Sequence, residues 1–154
     1  MDPRTQPADN LTFDECWELL ENDTLGRLAL VVDGHPEIFP INYVVYRRSI
    51  AFRTSGVTKL WGAAQERPAA LEIDGYDPHT EEAWSVVLRG DTGIIEDQAE
   101  IDAVDNLGLE PWHPGDKAHY IRITPRALTG RRFKVRRPDI WNTRVQDPRR
   151  ASFE

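Results

Sequence analysis

The chain has 154 residues, a length that suits one domain and buries a real core without disulfide staples. Apolar residues make up 40% and charged residues 29%, the balance of an ordinary globular protein, and no apolar run approaches a membrane span. The formal net charge of -7 argues against nonspecific nucleic-acid binding, and the lone Cys16 excludes an internal disulfide and fits a reducing compartment.

The opening stretch "MDPRTQPADN" is polar and lacks an apolar signal core, so residues 1–10 are expected to form a disordered arm. The expected location is cytoplasmic, with neither membrane nor nucleic acid as a partner. Thr12 and Glu15 have capping-box spacing, and Phe13, Cys16, Trp17, Leu19 and Leu20 follow at helical intervals. "LGRLALVV" predicts a strand, Asp33-Gly34 a hairpin turn, and "EIFPINYVVY" a second strand. Pro40 inside that strand cannot donate to a ladder, which predicts an edge or a bulge there. "IAFRTS" returns as a third strand, so residues 25–55 read as a meander.

Residues 58–66 read as a helix that ends before Pro68. "AALEID" is a strand, "GYDPHTEE" a loop, and "AWSVVLRGDTGIIE" a long strand bent or bulged near Gly90 and Gly93. "DQAEIDAVDNLG" is a helix closed by Gly108. "EPWHPGD" is a loop, and "HYIRITPRALTGRRF" is a final strand interrupted near Pro125. Strands joined by tight turns, with short helices at the crossings, predict a mainly β fold: a six-stranded antiparallel barrel plugged by helices. The domain is expected to span residues 11–133, followed by a basic, proline-broken tail over residues 134–154. That tail reads as solvated, with Trp141 as one docking point.

Chemistry concentrates in "FRTSGVTKL". Arg53 and Lys59 supply cations, and Thr54, Ser55 and Thr58 supply hydroxyl donors. Gly56 lets the backbone turn, and a helix N-terminus offers unpaired amides. A phosphate cradle and a plain helix cap both satisfy this pattern. The strand "FPINYVVY" is a second candidate, because proline frees backbone groups that a planar heterocycle needs and Asn42 offers both a donor and an acceptor. Trp84 and Ser85 open the long strand, where an indole can stack on a ring or serve as core. His113 and His119 have no evident third partner for a metal, so no metal site is expected. Cys16 reads as an inert core thiol, and no catalytic triad or carboxylate pair emerges, so catalytic residues stay unassigned.

Taken in order, "GRLAL", "PINYV", "FRTSGVTKL" and "WSVVLRG" resemble the pyridoxamine 5′-phosphate oxidase-like family of FMN-binding split barrels. The similarity runs from about Glu15 to Phe133. The resemblance implies a homodimer with the flavin between subunits. It implies that Pro40, Ile41, Asn42 and Tyr43 line the flavin ring, with Arg53 and Thr54 at the end of the next strand. It further implies that Thr58 and Lys59 hold the FMN phosphate, beside Ser55, and that Ser85, preceded by Trp84, reaches the flavin from the long strand. The tail lacks the vitamin-B6 oxidase's closing motif, which argues against that substrate. The expected function is an FMN-dependent oxidoreductase. The alternatives are a reductase using the deazaflavin coenzyme F-420, or a non-catalytic flavin- or haem-binding protein.

Overall fold

In a computed structural model, the structure describes residues 9–55, 59–109 and 118–135. In chain order the elements are β1 (Asp9–Asn10), α1 (Phe13–Glu21), β2 (Leu25–Val32), β3 (His35–Tyr46) and β4 (Ser49–Ser55). There follow α2 (Lys59–Ala63), β5 (Pro68–Asp77), β6 (Glu82–Ile94), α3 (Gln98–Asn106) and β7 (Ala118–Lys134). Strands β7, β4, β3, β2, β5 and β6 pair antiparallel in that order, and β6 pairs back with β7 to close a six-stranded ring. The predicted barrel is therefore present, and closure leaves the ring without a terminal strand.

The interior follows from strand alternation. Leu28 and Leu30, Ile41 and Tyr43, Ile50 and Phe52, Leu71 and Ile73, Val86 and Leu88, and Ile121 and Ile123 all point inward and are buried. Each contributes about 1.5–3 kcal/mol through removal of apolar surface from water. Helix α1 plugs one end. Its capping box forms as the spacing predicts: the Glu15 amide donates to Thr12 Oγ1 at 3.2 Å, and the Thr12 amide donates to Glu15 Oε1 at 3.2 Å. Cys16, Trp17 and Leu20 enter the core from this helix. The helix sits so close to β7 that a Cβ on Gly130 would lie 2.6 Å from Cys16 Sγ. Tyr43 Oη donates to the Leu20 carbonyl at 2.8 Å, tying β3 to the plug. Helix α3 instead packs outside the ring, where Val104, Ile95 and Leu109 cover Ala51.

Two turn expectations hold in detail. Asp33 and Gly34 adopt positive φ of 50° and 79°, the paired left-handed geometry of a tight hairpin. Gly108 closes α3 at φ 82°. The predicted irregularity at Gly90 is a register shift between Arg89 and Gly90. Opposite it, Ala127 pairs with Arg89 and Pro125 with Gly90, which leaves Arg126 as the extra residue. A side chain at Gly90 would collide with the Thr124 carbonyl, so only glycine fits the close approach of β6 and β7 here.

Four elements differ from expectation. Pro40 makes no bulge: the β2–β3 register runs unbroken from Leu25–Asn42 to Val32–His35. The Tyr43 amide donates to Thr24 of the β2 side at 3.0 Å, so alternation turns the Pro40 nitrogen to the opposite side. Pairing with β4 begins only at Tyr43, so among the described residues the Pro40 side of β3 is an open edge. The arm expected over residues 1–10 contributes β1, which pairs with Arg131 and Arg132 where β4 no longer covers β7. The loop expected over residues 75–82 shrinks to 78–81, because Gly75 leaves room for the Trp84 indole and β5 and β6 zip onward to Asp77–Glu82. The helix expected over residues 58–66 spans only Lys59–Ala63 in the described chain, and Glu66 turns at φ 50°.

Candidate functional site

The outer face of β3, β4 and β7 brings together part of the predicted constellation. Alternation splits the "PINY" quartet. Ile41 and Tyr43 are buried in the barrel, so only their backbone is available outside, while Pro40 and Asn42 face outward. Burial pushes the Tyr43 phenol well above its ordinary value of 10.0, with the Asp23 carboxylate adding in the same direction. In β4, Phe52 and Thr54 point inward and are buried, whereas Arg53 and Ser55 point outward. Asn42 and Arg53 each lie next to the last β3–β4 pair, Tyr43–Phe52.

Arg53 is the best-defined cation of the cradle. It pairs in register with Tyr120 of β7, and its guanidinium carbon lies 5.3 Å from the centroid of that ring. Its Nε is buried and has no hydrogen-bond partner among the described residues. An orphaned guanidinium donor costs free energy unless something accepts from it, and an anionic oxygen is the strongest such acceptor. Tyr120 is itself anchored: its Oη donates to both carboxylate oxygens of Asp105, at 2.8 and 2.9 Å. Burial, followed by this bond to Asp105, pushes its phenol upward, against an opposing pull from Arg53.

Lys59 is the first residue of α2, but its side chain lies outside the described part of the structure, as do Gly56 and Thr58. A five-residue helix aligns few peptide dipoles, so a cradle here depends on side chains and strand-end groups more than on a macrodipole.

Trp84 and Ser85 stand elsewhere. β6 is three strands from β3 in either direction around the ring. Trp84 packs against the interior cluster and covers Gly75, which makes it core. Ser85 faces outward between Asp74 of β5 and Arg131 of β7. Within one chain neither residue joins Asn42 and Arg53.

Sequence reasoning missed a neighbouring feature. Trp61 of α2 and His119 of β7 stack at 3.7 Å with an interplanar angle of 13°. They line a groove of about 820 Å³ together with Tyr120, Glu96, Gln98 and Asp105. The only hint in the sequence is the aromatic pair in "KLWG" and "HYIRI", and their meeting depends on the β4–β7 pairing. A smaller cavity of about 220 Å³ is lined by Asn42, Val44 and residues 107–109. His113 lies outside the described residues. Among those described, no group of His, Cys, Asp and Glu side chains is arranged to hold a metal ion, and no helix is long and apolar enough to cross a membrane.

A closed six-stranded antiparallel ring with a helical plug and Arg53 on its outer face defines a split barrel. The family model described as pyridoxamine 5′-phosphate oxidase matches residues 12–132, and the chain belongs to that family. It is 40% identical to the FAD binding protein from Mycobacterium smegmatis, over 82% of this chain and 100% of that one, with a TM-score of 0.73. A candidate pyridoxamine 5′-phosphate oxidase from Corynebacterium glutamicum is 34% identical, over 84% of this chain and 100% of that one, with a TM-score of 0.74. Among curated proteins, the uncharacterized protein Rv3129 of Mycobacterium tuberculosis is 31% identical over 91 residues, 59% of this chain and 81% of that protein.

Proposed function

We propose that this chain is a flavin-dependent oxidoreductase that binds the FMN moiety, the part common to FMN and FAD, on the outer face of β3 and β4. The observation that carries this reading is Arg53, held over Tyr120 at the end of β4 with a buried Nε that is unpaired among the described residues. Its donor set fits a phosphate. The 40% identity to an FAD-binding protein across that protein's full length supports the same ligand class. When bound, the flavin supplies hydride or electron transfer.

The chain's own residues then divide the work. Arg53, Ser55, Thr58 and Lys59 hold the phosphate. Thr54 is buried and contributes through its backbone. Asn42 and the open edge of β3 around Pro40 offer hydrogen-bonding groups to the ring, with Ile41 and Tyr43 limited to main-chain contacts. Ser85 reaches this site only from a second copy of the chain, which fits a homodimer with the flavin between subunits. Trp84 supports the strand that carries Ser85.

The deazaflavin alternative fits less well. The oligoglutamate tail of that cofactor would meet Glu96 and Asp105 in the adjacent groove, and like charges repel. The test is the visible spectrum of the purified protein together with titration by FMN. Two flavin bands, or saturable FMN uptake, are expected. A colourless protein that takes up no flavin would reject the proposal.

A further inference from the structure

We propose that the outer face of β2 and β5, rimmed by β3 and β6, is the seat of a second copy of this chain, related to the first by a two-fold axis through that face. The inference rests on the flavin reading above, which draws Asn42 and Arg53 from one copy and Ser85 from another. It names the surface through which the copies meet.

Ring order restricts the choice. Two routes lead around the barrel from β3 to β6, one through β4 and β7 and one through β2 and β5. The first is covered on the outside by α3, where Ile95, Val104 and Leu109 bury Ala51 and pack with Tyr120. The second carries exposed apolar side chains. Leu25 and Val31 point outward from β2, and Ile38 points outward from β3. Val31 is 61% exposed and Ile38 70%. The register groups them, with Ile38 opposite Ala29 and Val31 opposite Pro36. Single exposed apolar residues are ordinary, but a cluster on one sheet face marks a contact surface.

The same face offers a projection and a recess. Ile38 projects from it. A groove of about 340 Å³ crosses it, lined by Pro36 from β3, Ala29 and Val31 from β2, Pro68 and Ala70 from β5, and Arg89 from β6. A two-fold interface is self-complementary, because each contact occurs twice with the roles of the copies exchanged. A projecting apolar side chain next to an apolar groove meets that condition on one surface. Burying Val31 and Ile38 of both copies then drives association.

Charge permits the approach. Arg27 bridges Glu72 at 2.6 Å and Asp74 at 2.9 Å, and Arg131 faces outward beside Ser85. Two cations against two carboxylates leave this flank without net charge, so like copies do not repel there. Asp74 lies directly opposite Ser85, and Asn42 directly opposite Leu25. The two half-sites therefore border the face on opposite sides. A two-fold axis between them builds two identical sites, each with Asn42 from one copy and Ser85 from the other.

The experiment is sedimentation equilibrium of the purified full-length chain, native and as Ile38→Glu, with Leu107→Glu as the control on the α3 side. Leu107 is also an exposed apolar residue, at 51%. The native chain is expected at twice the mass of one chain. Ile38→Glu should raise the dimer dissociation constant at least about 100-fold, because it places a carboxylate in an apolar contact. Leu107→Glu should leave the dimer intact. Far-UV circular dichroism checks that each variant is folded, and Val31→Lys repeats the test should Ile38→Glu fail that check. A native monomer overturns the proposal. So does a dimer that survives both Ile38→Glu and Val31→Lys, or one that only Leu107→Glu dissociates. FMN titration of the same samples keeps the two readings apart. A dimer that Ile38→Glu dissociates supports the face even where neither form takes up FMN, and that second result overturns the flavin reading alone.

Discussion

The β3–β4 face and the start of β6 carry equally distinctive stretches of sequence, yet they occupy opposite sides of the ring. Asn42 and Arg53 lie on adjacent strands and face the same way. Trp84 and Ser85 lie three strands away, with the indole turned into the core and the hydroxyl turned out beside Asp74 and Arg131. The difference shows what strand order does to a set of motifs. Residues consecutive in a pattern meet only if the ring closes them onto one face, and a site that needs both faces needs two copies of the chain. The same lesson holds within a single strand. Phe52 and Arg53 are neighbours in sequence, but one is fully buried core and the other is a ligand candidate.

That contrast can be broken by substitution. Phe52→Ala should have the largest effect, a loss of about 3–5 kcal/mol in denaturant unfolding, because the barrel cannot collapse around the cavity it leaves. A cost below 1 kcal/mol would mean that β4 does not line the core. Arg53→Ala, one residue along, should leave the unfolding midpoint nearly unchanged. It should weaken FMN binding by roughly 10- to 100-fold, the value of a charge-assisted hydrogen bond. Equal affinity in isothermal titration would remove Arg53 from the site.

Tyr43→Phe sits between the two regions in kind. It deletes the hydrogen bond to the Leu20 carbonyl and should cost about 1 kcal/mol. It should also change the alkaline limb of stability. Burial raises the Tyr43 phenol, so its contribution is fully present below the ordinary value of 10.0 and is lost as pH rises through the higher folded value. The variant should lack that step when unfolding is measured against pH. Ser85→Ala should have the smallest effect, a loss of less than about tenfold in FMN affinity with no change in melting temperature. No loss at all would leave β6 outside the site and remove one reason to place the flavin between two copies.

Much of the fold was legible because its signals are local. The Thr12–Glu15 capping box, the Asp33–Gly34 turn and the closing Gly108 each depend on a few adjacent residues. The bulge at Gly90 was legible as a glycine but not as a pairing, since the extra residue, Arg126, lies on the other strand. The pairing of β1 with Arg131 and Arg132 was missed, because a two-residue strand has no periodicity of its own and forms only where β7 has an uncovered edge. Pro40 was recognised as special, but the choice between bulge and edge is set by where β4 pairing stops. At the site, alternation removed the Ile41, Tyr43 and Thr54 side chains from contact, and the sequence of the cradle gave no sign of the Trp61–His119 stack. That contact joins α2 to a strand about sixty residues later, through the β4–β7 pairing that also sets Tyr120 beside Arg53.

The proposed flavin site stands or falls with the phosphate at the β4–α2 junction. Charge reversal at Lys59 tests it most directly, with FMN titration and thermal melting run on the native chain and on Lys59→Glu. The account predicts saturable FMN binding by the native chain, strongly weakened binding by the variant, and the same melting temperature for both in the absence of ligand. Unchanged FMN affinity in Lys59→Glu would contradict it and would return the stretch to an ordinary helix cap.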